Sequence, residues 1–567
     1  MAAGPLRARY ADGELREIRI GSTELIRRIY VVFQDRNWTA RPWIIEDEQV
    51  DSGIDEFSIT VQARGTFDAG DFTWRAVLVG DRSGSIAFDL QGSARVEFWR
   101  NRLGLCILHP PQASGDEALV EHVDGSIEST AFPDAISPHQ PFLDMRALTH
   151  QVAPGLRSKL QMAGEVFESE DHRNWSDASF KHYCTPISLP FPVRVSVDQV
   201  ISQSVRLTLE GADDWRAEPR RVAGDVQISI GSSALPLPRI GIQLDADGHR
   251  LTPGEQALLA DLRLDHVRVD LGAGDHPDRL QAALQDASGL KAKAVVALIG
   301  ADPVDFAGFR EDPRIDHWLV FDPATKVTDP RLVEQVAQVL GPRVGGGTNL
   351  YFTELNRGRP SGPGIIAFSI NPQVHASDDE SVMQNAMTCS AIARNARSLY
   401  PDARLEISPI TLRPRFNPNA TAPEVDFSNT PLPSHVDARQ CQPFAAAWTV
   451  LALKAIAESG CIDSVTAYRA TGWEGLVERA EGSPQPADFH SRPGEPFPVY
   501  WVLRDLADAR HVIPCTSSDA DRLDALALDS GLVLLANLTA EPVWAAIEGQ
   551  RVQVPAQAVV RVQRARP

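Results

Sequence analysis

Apolar and polar residues alternate in short runs from Tyr10 to about Pro236, with Gly, Asp and Ser between the runs. Phe72, Trp74, Ala76 and Leu78 fall on one face; Asp81-Arg82-Ser83-Gly84 turns the chain; Ile86, Phe88 and Leu90 repeat the alternation before a further strand around Val96 and Phe98. Period-two patterning over many successive segments predicts an antiparallel β-sandwich spanning residues 1–236.

After Leu235-Pro236-Leu237-Pro238 the pattern changes, and strand-like runs alternate with helix-like ones. Strands are expected at 240–244, 266–271, 292–299, 317–321, 343–348, 364–370, 404–410 and 464–468. Thr252-Pro253-Gly254-Glu255 has the form of a capping box, followed by Leu258, Leu259 and Leu262 at helical spacing. Asp329-Pro330, Ser377 with Glu380, and Gln442-Pro443 mark further helix starts. Eight strand-then-helix units predict a (β/α)8 TIM barrel over 237–508. The runs 531–538, 543–547, 552–554 and 559–562 read as strands again, a small C-terminal β domain over 509–567.

The 567 residues exceed one core and carry 55 basic against 75 acidic groups, a net charge of −20. Such a field disfavours nucleic acid as a partner, and no basic patch offsets it. Hydrophobic residues at 43 % and charged ones at 23 % exclude a disordered or fibrous chain. The first 20 residues carry charges every few positions, and the most apolar stretch, 444–457, is broken by Lys454, so a cytoplasmic protein without a membrane segment is expected. Six scattered cysteines without CxxC spacing are expected to be reduced.

Barrel active sites lie at the C-terminal ends of the strands. That rule selects Arg268 and Asp270 on the second strand and Asn349, Glu354, Asn356 and Arg357 after the glycines 345–347 of the fifth. It adds Asn371 and His375 after the sixth, Arg413 and Arg415 after the seventh, and Tyr468, Arg469 and Thr471 at the end of the eighth. A carboxylate beside an amide and a guanidinium suits water activation and oxyanion stabilisation, so Glu354 is the candidate base, with Arg357 or His375 polarising a carbonyl. Asn356, Asp270 and Tyr468 would hold hydroxyls, and Asn349 and Arg413 complete the expected substrate-binding set. The structural alternatives are a surface Glu–Arg pair and a merely hydrogen-bonded loop histidine. Gly-x-Ser-x-Gly, His-Glu-x-x-His, His-x-His, a Walker loop and Gly-x-Gly-x-x-Gly are all absent from the sequence, and no cofactor or metal is expected.

The segment 165–183 packs many polar and aromatic side chains together, with Trp175 or Tyr183 suited to stacking on a sugar ring and Glu168, Asp171, Arg173 or Asn174 to bonding hydroxyls. A seam of structural salt bridges accounts for it equally. The block Glu168-Ser-Glu-Asp-His-Arg-Asn-Trp-Ser-Asp-Ala-Ser-Phe-Lys, continued by Tyr183-Cys-Thr-Pro and Leu189-Pro-Phe-Pro, resembles the D-apionate lactonase family. Phe352-Thr-Glu-Leu-Asn-Arg is a further parallel, and the likeness runs over nearly the whole chain. The resemblance implies hydrolysis of D-apionolactone to D-apionate, a small-molecule sugar lactone being the partner. It assigns no catalytic residue. A glycoside hydrolase using Glu354 and Glu406 is the second reading, and a carbohydrate-binding protein without catalysis the third.

Overall fold

The computed structural model describes residues 1–67, 70–211, 224–245, 247–362, 364–419 and 432–564. They form two compact units: one holds residues 1–173 and 178–211, the other Asn174–Asp177 together with the barrel and the C-terminal sheets.

The first unit is the predicted antiparallel sandwich. Its seven-stranded sheet is centred on Thr23–Gln34 and Arg102–His109; its nine-stranded sheet includes Phe57–Phe67, Gly70–Gly80, Ile86–Val96 and Val200–Glu210. Phe72, Trp74, Ala76, Leu78, Phe88 and Leu90 are buried as their alternation requires, and they share one core with Leu15, Ile18, Ile29 and Phe33 of the opposite sheet. The turn between Gly70–Gly80 and Ile86–Val96 closes through Asp81, whose carboxylate accepts from the Ser83 amide at 2.8 Å, and through Gly84 at φ +84°.

The second unit contains a closed parallel barrel of eight strands: β1 (Arg239–Gln243), β2 (His266–Gly272), β3 (Lys293–Ile299), β4 (Ile315–Phe321), β5 (Val344–Tyr351), β6 (Ile365–Ile370), β7 (Arg404–Ile410) and β8 (Ser464–Arg469). The capping box forms: the Thr252 hydroxyl accepts from the Glu255 amide at 3.3 Å, and Glu255 accepts from the Thr252 amide at 2.8 Å. The helix expected to open at Ser377 is capped instead by Asp378, which accepts from the Ser381 amide at 3.1 Å. The long helix Pro443–Ser459 ends on left-handed Gly460. After β3 the chain makes only the 3-10 segment Pro303–Phe309.

Val226–Ile230, which alternation groups with the N-terminal sandwich, pairs instead with Val543–Ile547 and Cys515–Ser517, and Leu235–Pro236 pairs with His511–Ile513. Alternation identifies a strand but not its partner, because pairing is set by long-range packing. These strands and the C-terminal ones form a five- and a four-stranded sheet over a shared apolar core. No described helix is long and apolar enough to cross a membrane. The six cysteines are free thiols, four of them buried.

Candidate active site

Inside the barrel, β2 places alternate residues inward. Arg268 is fully buried there, and its guanidinium spans the barrel: Nε donates to Asp270 Oδ1 at 2.6 Å, Nη2 to Asn349 Oδ1 of β5 at 2.7 Å, and Nη1 to the Ser408 carbonyl and hydroxyl of β7. Below it the Ser408 hydroxyl meets Thr466 Oγ1 at 3.1 Å, and Thr466 meets His266 Nε2 at 2.9 Å. A buried arginine is tolerable only when its donors are met, and this network meets them.

Asp270 also accepts from Gln243 Nε2 of β1 at 2.9 Å. Burial would raise its pKa, but the Arg268 and then the Arg415 charge outweigh burial and hold it below the usual carboxylate range. Arg415, from the loop after β7, donates through Nη2 to the Asn349 carbonyl at 2.6 Å and to its Oδ1 at 2.8 Å; its Nη1 stands 3.6 Å from Asp270 Oδ2. Burial and then the repelling Arg268 charge bring Arg415 down to about 9, still cationic at neutral pH. Arg469 closes the group, its Nε 3.0 Å from Glu474. The sequence criteria select Arg268, Asp270, Asn349, Arg415 and Arg469, and the structure gathers them here. Gln243 and Glu474 were not singled out; strand-end position on β1 was the available signal for Gln243.

Of the three glycines of β5, Gly345 and Gly347 make room for the neighbouring strand β6, and Gly346 for Thr328. A Cβ on Gly347, at φ +118°, would lie 2.3 Å from the Ala367 carbonyl oxygen of β6. Beyond them β5 slips against β6, with Gly347 opposite Ala367 but Tyr351 opposite Ser369. Such irregularity re-aims side chains, and Asn349 lies within it.

Around the mouth, two further carboxylates anchor loops. Asp245 accepts from the Thr471 hydroxyl and pairs with Arg479 at 3.3 Å, and burial pushes its pKa up. Asp437 accepts from Gln373 Nε2 and Arg439 Nη2, both at 2.7 Å, and lies 3.4 Å from Arg413. Burial opposes ionisation of Asp437, but its bond and ion pair with Arg439 hold it well below the ordinary range. Arg413 therefore sits against Asp437 rather than in the Arg268 group.

β5 runs directly into the helix Phe352–Gly358, whose first turn carries Glu354. Glu354 is buried, with Lys326 Nζ of the preceding loop 3.2 Å from Oε1. Tyr351 lies within electrostatic reach of both Arg415 and Glu354 and donates to the Phe416 carbonyl at 3.1 Å. Farther along the helix, Asn356 Nδ2 donates to Asn174 Oδ1 at 3.0 Å, and the Arg357 guanidinium lies over the Trp175 ring at 5.1 Å. Trp175 meets His375 edge-on at 5.3 Å, and His375 Nδ1 is 2.7 Å from Asp177 Oδ2. Asn174, Trp175, Asn356, Arg357 and His375 thus gather as a second cluster beside Glu354.

Three residues are engaged elsewhere. Arg173 belongs to the sandwich unit, where Asp171, the Ser114 hydroxyl and the carbonyls of Pro133 and Asp134 take its donors. The Tyr468 phenol is 2.7 Å from the Thr449 hydroxyl of the helix Pro443–Ser459. Glu406 lies near the start of β7, bound by His317 Nε2 at 3.1 Å and Arg404 at 2.7 Å. Burial would raise Glu406, yet the His317 and Arg404 charges bring it down to about 2. It is therefore at the end of the barrel opposite the β5 helix that carries Glu354.

Residues 1–212 match the family model described as the D-apionate lactonase N-terminal domain, and residues 326–511 the one described as its TIM barrel domain. A D-apionate lactonase of Brucella anthropi is 32 % identical over 586 aligned positions, covering 96 % of this chain and 93 % of that protein. Among solved structures, a GH30 endoxylanase from Clostridium papyrosolvens C71 covers 60 % of this chain and 100 % of its own, at 11 % identity and a TM-score of 0.39. A GH39 β-xylosidase from Caulobacter crescentus covers 60 % and 98 %, at 11 % identity and a TM-score of 0.36.

Proposed function

Because the chain belongs to the D-apionate lactonase family, we propose that its barrel hydrolyses the ring ester of a sugar lactone, converting D-apionolactone to D-apionate. The observation that carries this reading is Arg415. Neither its Nε nor its Nη1 has a hydrogen-bond acceptor among the described residues, although Asn349 pins its Nη2 at the mouth beside Asp270. A fixed cation with donors to spare suits the oxyanion of a tetrahedral intermediate.

In this mechanism Glu354 takes a proton from water as the water oxygen bonds to the carbonyl carbon, and the carbonyl oxygen becomes an oxyanion beside Arg415. Collapse breaks the ring C–O bond, and the ring oxygen leaves as a hydroxyl with the proton returned by Glu354. Asp270, Gln243 and Asn349 orient the substrate hydroxyls, and the second cluster of Asn356, Arg357, His375, Asn174 and Trp175 shapes the side of the site next to Glu354. Glu406, spent on His317 and Arg404, is unsuited to the paired-carboxylate chemistry of a glycosidase. The protein is expected to act in the cytoplasm.

The test is a pH-stat survey of five-membered aldonolactones and aryl glycosides with wild type and Glu354→Gln. D-apionolactone should open far faster than its spontaneous rate, and the variant should lose about 10²–10⁴ in kcat. Retention within a few-fold removes Glu354 from the role; turnover of glycosides alone refutes the reading.

A further inference from the structure

We propose that the barrel mouth is a carboxylate site for an open-chain sugar acid, so that the product of ring opening is retained and inhibits competitively. The inference rests on the lactone-hydrolase reading for the word product; the anion site itself rests on charge and hydrogen-bond geometry.

Three guanidinium groups, Arg268, Arg415 and Arg469, surround two carboxylates, Asp270 and Glu474. Arg469 is matched by Glu474 at 3.0 Å and Arg268 by Asp270 at 2.6 Å. Arg415 stands farther off, 3.6 Å from an Asp270 that already serves Arg268 and Gln243, with a side chain only 10 % exposed. Of the three it is the cation whose nearest carboxylate is already paired with another arginine, in a place where water screens it poorly.

The donors also fit. Asn349 Oδ1 accepts from both arginines, so the Asn349 Nδ2 group faces away from them, and no described residue accepts from it. Arg415 Nε and Nη1 add further donors. Anionic acceptors gain most from such a fixed set, because charge-assisted hydrogen bonds are roughly twice as strong as neutral ones. A lactone brings a neutral carbonyl to this place, whereas the hydrolysed acid brings a full negative charge.

The experiment compares D-apionate with its alditol, in which CH2OH replaces the carboxylate, by isothermal calorimetry on the full-length protein, a measurement independent of turnover. D-Apionate should bind at least tenfold more tightly than the alditol and compete with the lactone in the rate assay. Arg415→Gln should weaken D-apionate at least tenfold while moving the alditol less than threefold. Arg469→Gln, which leaves Asn349 untouched, should shift the preference the same way and decides the matter if Arg415→Gln does not fold. Equal binding of acid and alditol by wild type, or equal weakening of both in the variants, overturns the carboxylate site. Acid-selective binding without lactone turnover would leave the site standing and refute the lactonase reading; turnover without acid selectivity would do the reverse.

Discussion

Lowering the pH from 7 to 5 will destabilise the N-terminal sandwich through three histidines in its core. His109, His150 and His182 are at most 2 % exposed. His182 Nε2 and His109 Nδ1 are 2.8 Å apart, the His109 and His150 rings are 5.6 Å apart, and Phe132 packs against all three. A proton on one ring would be buried among apolar groups and beside a second imidazole. Burial, reinforced by the neighbouring His150, therefore depresses His182 to about 3, and burial with the other two rings pushes His109 well below its ordinary value. In His150 burial outweighs the bond to Asp116, and its pKa is lowered too. Unfolded, each ring regains a pKa of about 6.5. Below that value the unfolded chain binds protons that the fold refuses, so stability falls as pH drops from about 6.5 toward the depressed folded values, and it is fully present only above that window. Between pH 7 and 5, His182 alone accounts for about 2 kcal/mol, and His109 adds to the loss in the same direction. That is a large part of a domain stability of about 5–15 kcal/mol. Urea unfolding of wild type and His182→Gln at pH 7, 6 and 5 reads the effect. The glutamine lowers stability at every pH but removes one titrating ring, so the variant should lose about 2 kcal/mol less than wild type over this interval. Parallel losses in the two proteins would refute the reasoning.

Other substitutions separate structural from chemical roles. Glu406→Ala strands His317 and Arg404 in the barrel and should cost about 3–5 kcal/mol in urea unfolding. The folded fraction should keep its lactonase kcat within threefold; a hundredfold loss of kcat at unchanged stability would make Glu406 catalytic. Gly347→Ala forces a Cβ against the Ala367 carbonyl at a φ that L-residues avoid, and thermal denaturation should show a loss of at least about 1–3 kcal/mol. An unchanged Tm would mean that β5 is not held where the structure has it.

Much of the architecture was legible because it is written locally. The alternation of Phe72 to Leu78, the Thr252–Glu255 capping box and the prolines at the first positions of helices act within a few residues, and each formed as its chemistry requires. The candidate site was legible only in part. Strand-end position picks out Arg268, Asp270, Asn349 and Arg415, yet their joining in one group depends on Arg268 reaching Ser408, 140 residues away, and Asn349, 81 residues away. Asp245, just past the end of the first strand, has only that position as a signal, and its tie to Thr471 spans 226 residues.

Tyr468 shows the boundary most clearly. Thr466 faces the barrel interior, so simple alternation turns Tyr468 inward as well. But the pairing slips, Gly241 lying opposite Thr466 and Gln243 opposite Arg469, and Tyr468 adopts φ +62° and bonds Thr449 behind the strand. Hydrophobic period and capping chemistry, set by neighbours in the chain, determined by themselves that this protein has a sandwich, a barrel and a C-terminal sheet region. Which strands pair, where a register slips and which arginine must share a carboxylate are decided by groups far apart in sequence, because charge and close packing act through space and only the closed barrel brings those groups within reach.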